Sequence, residues 1–123
     1  MTVDDCIRDY YEALGEGRSL EPFLSERAFV KIGVEETLTG ADHIAEGLRE
    51  QRRTTSDWTV ESRSLRTDVR GPYALFSDQV SLAWTEDASG DRHEFETRWS
   101  GTLARTDSGW AFVSIHVSAP REL

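Results

Sequence analysis

The spacing of apolar residues changes along the chain, from helix-like before about residue 50 to strand-like after Trp58. Val3, Ile7, Tyr10, Tyr11 and Leu14 recur at offsets of four, seven, eight and eleven, the one-sided stripe of an amphipathic helix. Thr2 stands where a cap belongs, Asp4 and Asp5 suit the positive end of the helix dipole, and Gly15 and Gly17 lie where the stripe stops. A short second turn is predicted over residues 19–24, with Ser19 as its cap, Pro22 near its first helical positions and Phe23 and Leu24 turned inward. Residues 28–34 read as a strand. Gly40-Ala41-Asp42 then opens a third helix, with Ile44 and Leu48 four apart on one side.

Beyond Trp58, the runs 58–69, 73–85, 92–105 and 110–118 alternate as strands do. Gly71-Pro72, Asp87-Ala88-Ser89-Gly90-Asp91 and Thr106-Asp107-Ser108-Gly109 separate them, so the pattern is an antiparallel meander. Runs of a dozen residues would reach ~40 Å if straight, too long for a domain of this size, so the strands must bend or carry bulges and the sheet must curve. In the first run the apolar parity passes from Trp58 and Val60 to Leu65 and Val69, as an extra bulge residue would cause. Helices laid into the hollow of such a sheet close a cone. The expectation is one α+β domain over residues 1–123: a cone-shaped, curved antiparallel or mixed sheet with about three N-terminal helices.

Charge narrows the partners. A formal charge of −9 repels a phosphate backbone, and the 13 arginines are scattered rather than gathered into a stripe, which argues against nucleic acid and anionic membranes. Lys31 is the sole lysine among many acidic residues, which suits a salt-adapted surface or a GC-rich genome. The single Cys6 excludes an internal disulfide and a Cys-rich metal site. Within the first helix it reads as a partly buried thiol. No run approaches the ~20 apolar residues of a membrane helix, and Met1-Thr2-Val3-Asp4-Asp5 lacks the features of a signal peptide, so a cytoplasmic protein is expected.

Three stretches carry a family likeness. Lys31-Ile32-Gly33-Val34-Glu35-Glu36-Thr37-Leu38-Thr39-Gly40 looks like an Ile-Gly strand end leading to a Glu and then a helix-opening Gly, about two residues short, so that either Glu35 or Glu36 stands at the Glu position. Arg98 precedes Trp110 by twelve residues, and the closing run from Gly109-Trp110 ends in His116-Val117-Ser118-Ala119-Pro120. Over nearly its whole length the chain thus resembles the SnoaL-like branch of the nuclear transport factor two-like superfamily. The resemblance implies a cystatin-like cone fold that hosts isomerases, dehydratases, cyclases and association modules alike. It also implies pockets in which a carboxylate moves a proton opposite a Tyr, His or Arg.

Candidate residues follow from strand parity. Asp78 shares a parity with Phe76, Val80, Leu82 and Trp84. Facing the hollow it would be a general base among apolar side chains, and facing outward a structural charge. Glu36 is the alternative base, and Tyr10, Arg98 or His116 would steady an oxyanion. Arg98 groups with Glu94 and Glu96, and His116 with Trp110, Phe112, Ser114 and Ser118, opposite the plainer set Ala111, Val113, Ile115 and Val117. That pattern sends Arg98 and His116 to the outer face, where Glu94, Glu96, Arg98 and His116 would form a charged lattice at a homodimer interface. Tyr10, Tyr11, Phe29, Trp58, Trp84 and Trp99 are either core or the lining of a pocket for a flat organic molecule. His43 and His93 read as solvent-facing, no metal-ligand spacing or phosphate loop is present, and neither a metal nor a cofactor is expected. Three roles follow: a small-molecule binder, a carboxylate-dependent isomerase, dehydratase or cyclase, or an association module with a filled interior.

Overall fold

The computed structural model describes residues 2–25, 30–33, 36–39 and 53–119, the two short segments by backbone alone. Helix α1 runs Val3–Glu16. A capping box starts it: Thr2 Oγ1 accepts from the Asp5 amide and Asp5 Oδ2 from the Thr2 amide, each at 3.1 Å. Gly17 ends it in the left-handed region, and the Arg18 amide returns to the Ala13 carbonyl at 2.9 Å. The next turn is a 3₁₀ helix over Glu21–Phe23, entered at Leu20 with no side-chain cap, so Ser19 does not cap it. Leu24 is buried and Phe23 half-buried against Tyr10. The expected third helix, Phe29 and His43 lie outside the described residues.

Seven strands are described: β1 (Val30–Gly33), β2 (Glu36–Thr39), β3 (Thr55–Ser62), β4 (Arg66–Arg70), β5 (Tyr73–Glu86), β6 (Arg92–Thr106) and β7 (Gly109–Ser118). They form one mixed sheet in the order β2-β1-β7-β6-β5-β3, with β4 also on β5. Only β1 and β7 pair in parallel. The meander is as the alternation predicts, while β2, with Leu38 as its sole large apolar residue, gives no alternating signal.

The run 58–69 is two strands. β4 pairs with the first part of β5 and β3 with the last part, so the parity change at Leu65 marks a strand break and not the expected bulge. The β3 bulge lies earlier, where Asp57 and Trp58 stand between the pairs Ser56–Thr85 and Thr59–Ala83. Asp57 adopts φ 51° there, a conformation Asp tolerates better than most residues. A second bulge leaves Val113 between the pairs Thr102–Ser114 and Leu103–Phe112. It reverses parity, so Trp110 and Phe112 join the core with Ile115 and Val117, while His116 stays outside, exposed. The expected grouping of Trp110 and Phe112 with His116 fails because strand parity does not survive a bulge.

The cone is closed by burying the α1 stripe on the inner sheet face. Ile7, Tyr10, Tyr11 and Leu14 pack in one cluster with Phe76, Val80, Trp99, Leu103, Phe112 and Ile115, and α1 touches β3, β4 and β7. Thr67 Oγ1 donates to Asp4 Oδ1 at 2.6 Å, tying β4 to the first helical turn. Gly101 permits the closest approach in the sheet: a Cβ there would lie 2.2 Å from the Ser114 carbonyl oxygen and 2.8 Å from Phe76 Cε1. Backbone cannot yield as a side-chain tip does. Gly101→Ala is therefore expected to cost about 1–3 kcal/mol in urea unfolding, and an unchanged midpoint would show that β6 and β7 separate freely.

Candidate functional site

β5 carries Asp78 at its centre, paired with Trp99 of β6 on the inner face. Its side chain is 4% exposed. Ser62 Oγ donates to one carboxylate oxygen at 2.6 Å and the Ser64 amide to the other at 2.9 Å, while the Arg63 amide reaches the Gln79 carbonyl at 2.8 Å. The carboxylate thus bridges the break between β3 and β4. Tyr11 descends from α1 beside it, its hydroxyl buried with no partner in hydrogen-bonding geometry. Burial first, and the Asp78 carboxylate second, push the Tyr11 phenol well above its ordinary range.

Three of the expected pocket aromatics lie deep in the core. Tyr10 meets Phe112 at 4.9 Å between ring centroids, and Tyr11 stands edge-on to Trp99 at 5.5 Å. Trp99 Nε1 donates to Thr97 Oγ1, which donates in turn to the Val80 carbonyl. The other two described aromatics form a separate shelf. Trp58 stacks on Trp84 at 4.8 Å and 18°, Trp84 on Phe95 at 5.2 Å and 23°, and the His93 ring lies 5.8 Å from Trp84. Gly15, near the end of α1, sits opposite Val60; the shelf begins one residue pair farther along β3, and Phe95 is left 44% exposed. His93 is half-buried and meets Glu86 at 3.0 Å, so it does not simply face solvent. The sequence reading marks neither Phe95 nor His93 as a pocket residue, although the β5–β6 register sets Phe95 beside Leu82 and His93 beside Trp84.

Arg98 and His116 come together on the outer face. The register sets Gln79, Arg98 and Ser118 in one row and Arg66, Ser77, Ser100 and His116 in the next, and these residues line a groove of about 480 Å³ that Ser64, Asp78 and Trp99 also border. Asp78 borders the groove, but its carboxylate is buried and held by Ser62 and the Ser64 amide. The β5–β6 register runs without a slip, so a residue adjacent to Trp99 must point away from the Asp78 carboxylate. A catalytic set of Asp78 with Arg98 or His116 is therefore not assembled. The expected charged lattice is also absent among the described residues, because Glu96 accepts from Ser81 and approaches Arg63 instead. Glu36 lies on β2 opposite Gly33, its side chain outside the description.

Cys6 is buried with its Sγ 3.5 Å from the Trp110 carbonyl, and burial, aided by Asp9, pushes its thiol up to about 11. No group of three or more His, Cys, Asp or Glu residues suited to a metal occurs among the described residues. No described helix is long and apolar enough to cross a membrane.

The SnoaL-like domain family model matches residues 3–122. No curated protein matches the chain. Among solved structures, a protein assigned as a dehydratase of the NTF2-like family from Streptomyces avermitilis superposes with TM-score 0.88 at 16% identity, covering 98% of this chain and 96% of that one. An NTF2-like superfamily protein from Salmonella enterica gives 0.86 at 21%, over 96% and 88%. A ketosteroid isomerase-like protein from Erwinia carotovora atroseptica gives 0.83 at 15%, over 98% and 95%. At these identities the likeness is one of fold.

Two outcomes follow. Asp78→Ala leaves the Ser62 hydroxyl and the Ser64 amide without their acceptor, and a loss of about 2–3 kcal/mol is expected in urea unfolding, with faster hydrogen exchange at the Ser64 amide; slow exchange there would remove the bridging role. Cys6 and Tyr11 both hold their protons more tightly folded than unfolded. Their contribution to stability is therefore complete below the ordinary thiol value of 9.0 and falls as pH rises toward about 11. Unfolding midpoints across that window should decline less steeply in Cys6→Ala and Tyr11→Phe than in the parent.

Proposed function

The chain belongs to the SnoaL-like domain family, and on that premise we propose that it binds a small, flat, apolar or aromatic organic molecule on the inner face of its sheet. The observation that carries this reading is the Trp58–Trp84–Phe95 shelf, whose near-parallel rings stay partly exposed beyond the end of α1. Rings that serve packing alone are covered, as Tyr10 and Trp99 are. A stacked, open edge offers a ligand a large contact at little cost in side-chain entropy. The dehydratase and isomerase-like names of solved relatives favour a small organic molecule as the ligand.

A second reading is proton-transfer catalysis, favoured by the unpartnered Tyr11 hydroxyl beside the Asp78 carboxylate. A buried phenol next to a carboxylate is a pair able to steady an oxyanion or pass a proton. Distance ranks it second. Trp84 lies six residues along β5 from Asp78, roughly 20 Å at strand rise, so a ligand resting on the shelf would have to be long to reach the carboxylate. Both oxygens of Asp78 are also already engaged.

Calorimetric titration with 2-naphthol, a neutral bicyclic probe, tests the binding reading. Trp84→Ala and Phe95→Ala are each expected to weaken it about tenfold, the loss of roughly 1.4 kcal/mol of stacking. Equal affinity in the parent and in Phe95→Ala, an exposed position whose change leaves the core intact, would reject the shelf as the site.

A further inference from the structure

In a chain with a large surplus of carboxylates, nearly every described arginine has found a partner. Arg8, Arg18, Arg63 and Arg70 reach carboxylates, Arg92 a backbone carbonyl, and Arg105 lies 4.5 Å above the Trp110 ring. Arg53 is also engaged. Arg66 and Arg98 alone among the described arginines have no side-chain ion pair, hydrogen bond or ring contact, and both open into the outer groove together with His116. Acidic side chains nearby are turned to other work: Glu61 and Glu96 meet Arg63 and Asp68 meets Arg70, while Asp78, which borders the groove, is buried with its carboxylate held by Ser62 and the Ser64 amide.

From this arrangement we propose that the groove is an oxyanion site that takes a phosphate group, free or as the ester of a small organic molecule. Strands ~4.8 Å apart with a rise of ~3.3 Å per residue put the Arg66 and Arg98 backbones about 12 Å apart and those of Arg98 and His116 about 8 Å apart. Two guanidinium groups can then meet one anion between them, with the imidazole N–H on its far side. Ser77, Ser100 and Gln79 supply further donors along the floor. Several donors arriving from different strands suit the three terminal oxygens of a phosphate better than the two of a carboxylate. At about 480 Å³ the groove exceeds a bare phosphate and leaves room for an organic body. The negative charge of the whole chain opposes anion approach, so selectivity must come from these local donors, and binding should weaken with added salt.

The test is calorimetric titration of the intact protein with inorganic phosphate and with phenyl phosphate at constant ionic strength, with acetate as the control. One-to-one phosphate binding is expected, with acetate weaker. Arg66→Gln and Arg98→Gln should each weaken phosphate about tenfold while leaving the urea midpoint unchanged, since both side chains are exposed. Tighter phenyl phosphate identifies an ester as the ligand, and equal affinity identifies the free anion. Absence of binding at millimolar phosphate, or equal affinity in both variants, overturns the proposal. So does a dimer in sedimentation velocity that Arg98→Glu dissociates and that binds no phosphate, since the groove would then be the seat of a second copy. None of these outcomes bears on 2-naphthol at the inner shelf, which lies across the sheet.

Discussion

The architecture depends on how β5 is shared. Of the fourteen residues of β5, Tyr73 to Thr85 pair with β6 on one edge, but on the other edge two separate strands, β3 and β4, divide its length. That partner edge breaks at residues 63–65, between the end of β3 and the start of β4. The break leaves the Ser62 hydroxyl and the Ser64 amide as part-buried donors at the edge of the sheet, and a buried donor left unpaired costs about 1–3 kcal/mol. Asp78 removes that cost by accepting from both sides of the gap. A carboxylate in the core is thereby accounted for by the gap between β3 and β4.

Strand alternation then sorts every other candidate residue. Once Asp78 and Trp99 face inward, Gln79 and Arg98 must face outward, and no rotamer reverses this. The inner face receives most of the aromatic residues and the helix, and the outer face receives serines and arginines together with the exposed Tyr73 and Leu75. The bulge at Val113 is what lets β7 serve both faces well. It brings Trp110 and Phe112 to the core without turning His116 inward.

Most of the fold was legible because it rests on local signals. The stripe and caps of α1, the turns between β5, β6 and β7, and the outward pointing of Arg98 and His116 all follow from periodicity and turn residues. What was not legible depends on single-residue shifts. A strand break and a bulge both reverse parity, and the passage from Val60 to Leu65 looks alike in either case. The face of Asp78 was open for a related reason, since a lone polar residue within an apolar parity reads equally well as a buried acceptor or an outward charge. The pairing of Ser62 and Ser64 with it depends on how two strands meet at a gap, which no spacing along the chain encodes. The shelf was half visible: Trp58 and Trp84 were marked, but Phe95 and His93 join them only through the β5–β6 register.

A cone of this kind is built by many sequences with little in common, so residues required by the cone say little about chemistry. Tyr10, Trp99, Phe112 and Asp78 are each accounted for by packing or by the strand gap. Specific chemistry should instead reside in groups the fold leaves unspent: rings that stack without being covered, and cations without counterions in an acidic chain. Phe95 and Arg98 are such groups, and they lie on β6 with their side chains on opposite faces. β5 and β6 are the most tightly paired strands in the sheet, with an unbroken register from Tyr73–Ala104 to Thr85–Arg92. Rigid backbone holds an open ring or an unpaired guanidinium where a flexible loop would let it fold onto the nearest partner. The strands with the longest unbroken pairing are thus the ones best able to keep such groups exposed.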